Sequence, residues 1–477
     1  MLRSRRATRA GLLVATVLCS LAAPLCAQPR AVQIASGEEF SCLRATDGTV
    51  WCWGENGFGA RAMPNDPRSP TPRRATRVPG ITDAVDLVID PLLGGCARTA
   101  SGAFACWGDA LLGRLGNGRS DLTPGVARAS GLSDVTQGAT RGRNGCVVRA
   151  DHTVRCWGEN LYGQVGDGTR EERHAPAEVR GLTTAVELAM GFGGVCARLL
   201  DGTVRCWGWD WAQIGNAAVL GAITTPREVA GLRNARALWA GDYQMFVATT
   251  DGALLAFGAG DHGMLGDARM AHERTINRAT PTRVAGVRGV TQLAAGRRHA
   301  CAVTARGAVW CWGTNPSGQR GDGTVGTDET RELQHLPGGD VTCLRRHPDT
   351  PLEDCLPLSR GGAVRAYGAP SRVAGLPPAR QVAVGAMHTC AVTRAGEVWC
   401  WGAGDVGQLG DGEPLRRPRA ARVPGLVGVD EVALGRTHSC ARAHDGTVSC
   451  WGRNHGGQLG VDGPPRRATP APIQFAP

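Results

Sequence analysis

The stretch VALGRTHSCARAHDGTVSCWGRNHGGQLG, residues 432–460, decides the fold. A short apolar run ends in Gly, and two further runs suited to strands flank Asp445-Gly446. Asp-Gly between two such runs is a strong signal for a tight β-hairpin. The last of these runs ends in Cys-Trp-Gly, and a Gly-rich segment follows it. The stretch therefore predicts a small antiparallel sheet of three or four short strands.

The same pattern recurs along the chain, so the stretch is one copy of a repeat. Trp-Gly occurs seven times and Phe-Gly fills one further slot, at intervals of 54, 50, 50, 50, 55, 89 and 50 residues. Because one isolated unit could not bury its faces, eight such units predict an all-β fold, a β-propeller of about eight four-stranded units of 50 residues. We expect the aromatic residue of each unit to anchor it between blades: Trp53, Trp107, Trp157, Trp207, Phe257, Trp312, Trp401 and Trp451.

Composition agrees with a single ring and excludes other classes. The 477 residues include 69 Gly and 28 Pro, which break helices and argue against a helical bundle. The 42% hydrophobic content argues against a disordered chain. We therefore expect residues 28–477 to form one propeller domain.

Residues 1–27 have the pattern of a signal peptide. Arg3, Arg5, Arg6 and Arg9 precede an apolar stretch that is too short for a comfortable membrane span. No later apolar run is long enough to cross a bilayer. We expect a protein that is secreted, periplasmic or on the cell surface, with the cleavage site and a lipid anchor left open.

The cysteines occur in pairs ten positions apart, on either side of the predicted hairpin turn. Directly opposed residues on antiparallel strands are close enough for a disulfide, and no C-x-x-C motif suggests zinc. In the fifth unit both cysteines are replaced together, by Phe246 and Ala256. Such bridges persist in an oxidising compartment. We predict seven disulfides within hairpins: Cys42–Cys52, Cys96–Cys106, Cys146–Cys156, Cys196–Cys206, Cys301–Cys311, Cys390–Cys400 and Cys440–Cys450.

The unit pattern GxxHxCAxTxxGxVWCWGxNxxGQLGDG resembles the repeat of the regulator of chromosome condensation family. That resemblance implies a β-propeller, usually of seven blades, so seven is the alternative to the eight units counted here. Its members include a nuclear exchange factor for a small GTPase, a secreted bacterial β-lactamase inhibitor and many bacterial proteins of unknown role. Those activities reside in loops that the repeat does not define. A secreted bacterial-type member fits this chain better than a nuclear one.

The 89-residue interval departs from the repeat. Residues 324–370 extend the loop of the sixth unit and contain a degenerate echo of the repeat, GGAVRAYG, at 361–368. Cys343 and Cys355 lie in this insertion, and we predict that they form one further disulfide.

Several residues suggest chemistry at first sight. His299, His388 and His438 each precede a cysteine pair, but they hold the same position in three units, which favours a structural role. Asp167, Asp322 and Asp411 of Gly-Asp-Gly fit turns better than a calcium site. A sialidase-like glycosidase would need a tyrosine nucleophile, and nothing singles out Tyr162, Tyr243 or Tyr367. We predict no catalytic residue, no cofactor and no metal site.

The partner is the least defined prediction. All 53 basic residues are arginines and the formal net charge is +11. Arg68, Arg73, Arg74 and Arg77 follow the first unit, and a second arginine-rich loop at 416–422 follows the seventh. If they share a face, an acidic protein or an anionic envelope polymer could dock there, whereas the alternative is solvated loops. We expect a monomeric, non-catalytic binding propeller that uses its loops and does not bind nucleic acid. The alternatives are a regulator or inhibitor of one protein, or a glycosidase.

Overall fold

The structure, a computed structural model, describes residues 28–62, 73–120, 125–210, 221–268, 277–326, 333–335, 342–344, 356–357 and 369–476. The predicted signal peptide, residues 1–27, lies outside these ranges. The described chain is almost entirely β, with short 3-10 turns at Gly57–Gly59, Leu111–Gly113 and Asp261–Gly263. Within the described residues no helix has the length and apolar character needed to cross a membrane.

Strands of the first half of the chain form four antiparallel sheets of four, each in sequence order. Blade 1 contains β1 (Ala31–Ser36), β2 (Phe40–Ala45), β3 (Val50–Gly54) and β4 (Thr76–Arg77). Blade 2 contains β5 (Ala84–Asp90), β6 (Gly94–Thr99), β7 (Phe104–Gly108) and β8 (Val126–Arg128). Blade 3 contains β9 (Val135–Arg141), β10 (Asn144–Arg149), β11 (Val154–Gly158) and β12 (Arg173–Glu178). Blade 4 contains β13 (Ala185–Met190), β14 (Gly194–Leu199), β15 (Val204–Asp210) and β16 (Gly221–Glu228).

The second half forms four more such sheets, with an insertion in the sixth. Blade 5 contains β17 (Ala235–Ala240), β18 (Gln244–Thr249), β19 (Ala253–Gly258) and β20 (Arg278–Arg288). Blade 6 contains β21 (Val290–Ala295), β22 (His299–Thr304), β23 (Val309–Gly313) and, after the insertion, β27 (Ser371–Arg372). Blade 7 contains β28 (Ala379–Val384), β29 (His388–Thr393), β30 (Val398–Gly402) and β31 (Arg417–Arg422). Blade 8 contains β32 (Val429–Leu434), β33 (His438–Ala443), β34 (Val448–Arg453) and β35 (Arg466–Pro472).

The insertion between β23 and β27 contributes a small sheet of its own. Its strands are β24 (Leu333–His335), β25 (Thr342–Leu344) and β26 (Leu356–Pro357), paired antiparallel. Cys355 and the degenerate repeat at 361–368 are not among the described residues, so the predicted Cys343–Cys355 bridge lies outside them.

The sheets stand in a ring, which confirms the predicted propeller and gives it eight blades rather than seven. The first strand of every blade contacts the first strand of the next, and β32 contacts β1, so the first strands lie innermost and the ring is closed. The end of the chain reinforces this closure, because Ala75 beside β4 bridges Phe475 beyond β35. The amide of Ala75 donates to the carbonyl oxygen of Gln474 at 2.8 Å.

The Asp-Gly turns join second and third strands as predicted, and their chemistry is local. In blade 1 a carboxylate oxygen of Asp47 accepts hydrogen bonds from the amide and the hydroxyl of Thr49, at 3.0 and 2.7 Å. Gly48 has a φ of +77°, and a Cβ there would lie 2.7 Å from the carbonyl oxygen of Thr82. Glycine is required at this position for both reasons.

This topology gives the ring two different faces. The turns between second and third strands lie at one end, which we call the hairpin face. The turns between first and second strands, the segments after third strands and the beginnings of fourth strands lie at the other, which we call the loop face. The connections between third and fourth strands, which vary most in length, begin and end on the loop face.

Candidate functional site

Seven cysteine pairs lie opposite each other on second and third strands, at disulfide-bonding distance. Cys42 pairs with Cys52 in the ladder, and the six other pairs have the same register. Their Cα atoms are 4.0–4.1 Å apart and their sulfur atoms 2.06–2.23 Å apart. In blade 5 the same ladder position holds Phe246 opposite Ala256. Both residues are fully buried, so one large and one small side chain occupy the place of a bridge.

The side chains of the eight anchor residues are fully buried. Each of the seven tryptophans donates an indole hydrogen bond of 2.8–3.0 Å to a backbone carbonyl of the preceding blade. The acceptor belongs to the Gly-rich segment after the third strand, such as Gln164 for Trp207. Phe257 is equally buried but carries no donor. The tryptophans therefore hold adjacent blades together, and their rings are not available to a ligand.

A second contact joins adjacent blades near the axis. The third residue of several first strands reaches the backbone of the next blade's first strand. Gln292 donates to the carbonyl oxygen of Val382 and accepts from its amide, both at 2.9 Å. Gln137 and Gln381 make the same pair of bonds to Leu188 and Val432. Blade 5 has Ala237 at this position, which cannot make the contact.

The three candidate histidines do not converge on one point; they form a line through blades 6, 7 and 8. The Nε2 atom of His299 lies 2.9 Å from the hydroxyl of Thr389, and that of His388 lies 3.0 Å from the hydroxyl of Ser439. The two hydroxyls donate their hydrogens to backbone carbonyl oxygens, so each Nε2 must be the donor. His438 continues the line to Ser41 of blade 1 at 2.8 Å.

These histidines are neutral structural groups. All three are fully buried, and their Nδ1 atoms have no hydrogen-bond partner among the described residues. Burial lowers the pKa of His299 and of His438 to about 4. Burial also lowers the pKa of His388, to about 3, and the two neighbouring histidines add to the effect. No described group of three or more His, Cys, Asp or Glu residues could hold a metal ion.

The aspartates of Gly-Asp-Gly organise turns. A carboxylate oxygen of Asp167 accepts from the amide and hydroxyl of Thr169 at 2.9 and 2.7 Å, and its other oxygen accepts from Arg173 at 2.6 Å. Asp411 accepts from the amide of Glu413 and from Arg417 in the same way. These contacts use the oxygens that a calcium ion would need.

The ring loses its symmetry on the loop face of blades 3, 4 and 5, where four aromatic side chains form what we call the aromatic run: Tyr162, Trp209, Phe192 and Tyr243. Tyr162 stacks on Trp209 with centroids 4.7 Å apart, and Phe192 meets Tyr243 edge-on at 6.0 Å. The two pairs are adjacent: Gly193 follows Phe192 in sequence, and a Cβ on Gly193 would lie 3.2 Å from the Trp209 ring.

Exposed apolar side chains share the loop face with the aromatic run. Leu161, Leu92 and Phe192 expose 58%, 51% and 44% of their surface on this face. Beneath them Arg141 of blade 3 pairs with Asp242 of blade 5. Burial lowers the pKa of Arg141, and nearby acids, Asp90 first, oppose that shift. Asp90 also accepts from the amide of Gly142 at 2.6 Å. The loops that carry the run are thus tied to one another across the blades.

No motif in the sequence predicts this site. As isolated tyrosines, Tyr162 and Tyr243 suggest only possible nucleophiles, and the structure gives each an aromatic neighbour instead. No motif singles out Phe192, Trp209, Leu92 or Leu161. The signal was a break in the repeat: where blade 4 has Trp209, the other repeats have Glu55, Asp109, Glu159, Ala259, Thr314, Ala403 and Arg453.

The arginine-rich loops lie on the same face of the ring, with blade 8 between them. Arg73 and Arg74 of blade 1 reach the last loop of blade 8, where Arg73 donates to the carbonyl oxygen of Gly463 at 2.6 Å and Arg74 pairs with Asp462 at 2.8 Å. In blade 7, Arg417 pairs with Asp411 at 2.8 Å. Arg68 lies outside the described residues.

Two models of a known repeat family match parts of the chain. The model of the regulator of chromosome condensation (RCC1) repeat fits residues 31–60, 290–319, 379–408 and 429–458, and a second model of the same repeat fits 251–303 and 395–442. The chain is 30% identical to human RCC1 domain-containing protein 1 over 209 residues, which are 40% of this chain and 51% of that protein. It is 31% identical to human E3 ubiquitin-protein ligase HERC2 over 187 residues, 34% of this chain and 4% of the ligase. The matched part thus spans about half the length of the first relative and a small fraction of the second.

Two solved structures share the fold. Prp20p from Saccharomyces cerevisiae superposes with a TM-score of 0.56 at 19% identity, covering 85% of this chain and 91% of that one. Human WBSCR16 superposes with a TM-score of 0.53 at 17% identity, covering 90% and 94%. At these identities the two structures show that the chain shares their fold. The chain therefore contains repeats of the regulator of chromosome condensation (RCC1) type, arranged as a β-propeller.

Proposed function

We propose that this protein is an exported, non-catalytic propeller that binds a protein partner through the loop face of blades 3 to 5. The observation that carries the proposal is the aromatic run, since aromatic residues, Arg and Met are enriched in the parts of interfaces that supply most of the binding energy. The run is part of a surface that also exposes Leu92 and Leu161. Aliphatic side chains of that kind favour a protein over a glycan as the partner.

The organisation of the site supports binding rather than chemistry. The loops beneath the run are cross-linked by the Arg141–Asp242 pair and by the bond from the amide of Phe192 to the carbonyl oxygen of Asp242, at 2.6 Å. Loops held in this way lose little entropy when a partner binds. Proteins of the same fold also bind proteins: Prp20p is described with its binding to Gsp1p and histones, and in complex with Kap60.

Export is the second part of the proposal. It rests on the signal-like segment at residues 1–27 and on seven cysteine pairs at bonding distance, which would persist as disulfides outside the cytoplasm. Non-reducing peptide mapping of protein from the native source tests it. We expect each pair, Cys42–Cys52 first, in one cross-linked peptide. Free thiols at these positions in exported protein would contradict the proposal.

Affinity capture tests the binding site. The bait is the mature chain, the test variant is Phe192→Ala/Tyr243→Ala, and the control is Leu200→Ala, because Leu200 is 61% exposed on the hairpin face. We expect one protein captured from the native extracytoplasmic fraction by the parent and the control, with at least tenfold less on the double variant. Equal capture by the double variant would contradict the proposed binding site. Retention of a glycan alone would contradict a protein partner. Assay of the captured protein with and without the propeller then distinguishes an inhibitor from an adaptor.

A further inference from the structure

A second surface, independent of the aromatic run, is formed where the fourth strands of blades 7, 8 and 1 begin on the loop face. We call it the arginine arc; it consists of Arg416, Arg417, Arg419, Arg466, Arg467, Arg73 and Arg74. The sequence separates its two ends by more than 340 positions. The ring brings them together because blade 8 stands between blade 7 and blade 1 and carries the same kind of Arg pair.

Backbone packing makes the arc continuous. In blades 7 and 8 the Gly-rich segment after the third strand rests on the residues that begin or immediately precede the next blade's fourth strand. A Cβ on Gly407 of blade 7 would lie 2.7 Å from the Cα atom of Ala468 in blade 8. A Cβ on Gly457 of blade 8 would lie 3.0 Å from the Cα atom of Arg73 in blade 1. The arginines therefore follow one another along the outer edge of the loop face.

Most of this positive charge is not neutralised. Asp411 pairs with Arg417 and Asp462 with Arg74. Within the described part of the chain, Arg416, Arg466 and Arg467 make no ion pair, and Arg416 and Arg466 are exposed. Glu413 is a further exposed acid in the loop of blade 7. The arc thus keeps a net positive charge spread over three blades.

Prolines restrain the backbone of the arginine arc, and the arc exposes little apolar surface. Pro414 and Pro418 flank Arg416 and Arg417 of blade 7, and Pro464 and Pro465 precede the arginines of blade 8. Proline fixes φ, so the backbone that carries the guanidinium groups is restrained before any ligand arrives. Leu415 is the exposed large hydrophobic residue of this region, in contrast to the aromatic run. A surface of this composition suits a ligand recognised by charge.

We propose that the arginine arc binds a linear polyanion whose charges are phosphate groups. Guanidinium groups bind phosphate through two parallel hydrogen bonds, and a polymer with a charge on every unit can contact several arginines without a shaped pocket. Binding would release counterions, so the affinity must fall steeply with salt.

Long-chain inorganic polyphosphate is the probe. The test variant is Arg416→Gln/Arg466→Gln/Arg467→Gln, and the control is Arg128→Gln/Arg227→Gln/Arg372→Gln. The control changes net charge equally and replaces exposed arginines of the fourth strands of blades 2, 4 and 6. We expect the test variant to bind at least about tenfold more weakly and to lower the slope of log affinity against log salt by about two. We expect the control to stay within about twofold of the parent.

The outcomes separate this surface from its alternatives. Equal weakening by the control variant would show attraction by net charge alone and would overturn the arc. Polyglutamate that binds as tightly as polyphosphate at equal charge would overturn the choice of phosphate, and an acidic protein as the tightest ligand would replace a polymer with a protein partner. Phe192→Ala/Tyr243→Ala should leave polyphosphate binding unchanged, so failure of the proposed protein site and failure of the arc are distinguishable.

Discussion

The indole nitrogen of Trp53 donates a 3.0 Å hydrogen bond to the carbonyl oxygen of Gln458, so the first blade is held to the last across 405 residues of sequence. The six other tryptophan anchors make the same bond to the blade before them, including Trp451 to Gln408 at 2.9 Å. The ring is therefore closed by the same contact that joins the remaining anchored pairs of blades. The strength of that contact should affect the stability of the whole ring.

Replacing the closing anchor should weaken the ring measurably. In Trp53→Phe the buried carbonyl oxygen of Gln458 loses its donor, and we expect the free energy of unfolding to fall by about 1–3 kcal/mol. Trp51→Phe is the control, because Trp51 is only partly buried and its indole bonds to the side chain of Thr49. Urea unfolding under oxidising conditions measures both. Equal losses would mean that the Trp53 hydrogen bond contributes nothing special to closure.

Acid should destabilise the fold through the buried histidines. Their pKa values are lowered to about 4, 3 and 4 in the folded protein, against 6.5 as the ordinary value. Between these values the unfolded chain binds more protons, so stability is full above pH 6.5 and falls as the pH drops towards 4. Each histidine contributes a slope of up to about 1.4 kcal/mol per pH unit in that window. Equilibrium unfolding at pH 8, 6 and 5 measures the sum.

The variant His388→Gln isolates one histidine, since an amide can still donate to Ser439 and does not titrate. We expect the slope of the free energy of unfolding against pH, between pH 6.5 and 4.5, to be about a third smaller than in the parent. Burial raises the pKa values of Glu39 and Glu431, so these carboxyl groups make the fold more stable as the pH falls, opposite to the histidines. Their contribution is the same in the parent and in the variant, so it cancels in the comparison. An unchanged slope would contradict the neutral, buried state of His388.

Repetition made the fold predictable, and departures from repetition made the site difficult to predict. The period, the Asp-Gly turns and the spacing of Cys42 and Cys52 are local features, so they indicated strands, hairpins and pairing without any tertiary information. The aromatic run depends on which loops the ring brings side by side. Tyr162 and Trp209 are 47 positions apart in sequence, and their stacking follows from the packing of blade 3 on blade 4. The arginine arc likewise exists only because the ring closes.

Blade 5 shows how a cysteine pair can be replaced, and that arrangement can be transferred. In Cys146→Phe/Cys156→Ala, blade 3 receives the large and small residues that blade 5 has at Phe246 and Ala256. There Phe246 meets Trp312 of the next blade edge-on at 5.8 Å, and Trp207 is the equivalent partner for blade 3. Replacing both cysteines by alanine removes the bridge and should lower the free energy of unfolding by about 2–4 kcal/mol.

We expect the Phe/Ala variant to recover about half of that loss, because the aromatic ring fills the space that the alanines leave empty. Thermal unfolding of parent, Ala/Ala and Phe/Ala proteins measures the recovery. Non-reducing mass spectrometry must show one bridge fewer in both variants. A Phe/Ala protein no more stable than Ala/Ala would mean that blade 5 depends on other compensations.

A missing contact between blades 5 and 6 can be added. At the position where Gln292 joins blade 6 to Val382 of blade 7, blade 5 has Ala237, and the equivalent backbone in blade 6 belongs to Leu293. The variant Ala237→Gln should form one or two hydrogen bonds to that backbone and raise the free energy of unfolding by about 0.5–1.5 kcal/mol. Gln292→Ala is the reciprocal control and should cost about 1–3 kcal/mol, because the amide and carbonyl of Val382 lose their partners. Amide hydrogen exchange at Leu293 reports the new contact directly: slower exchange in Ala237→Gln is expected, and an unchanged rate would show that the glutamine does not reach across.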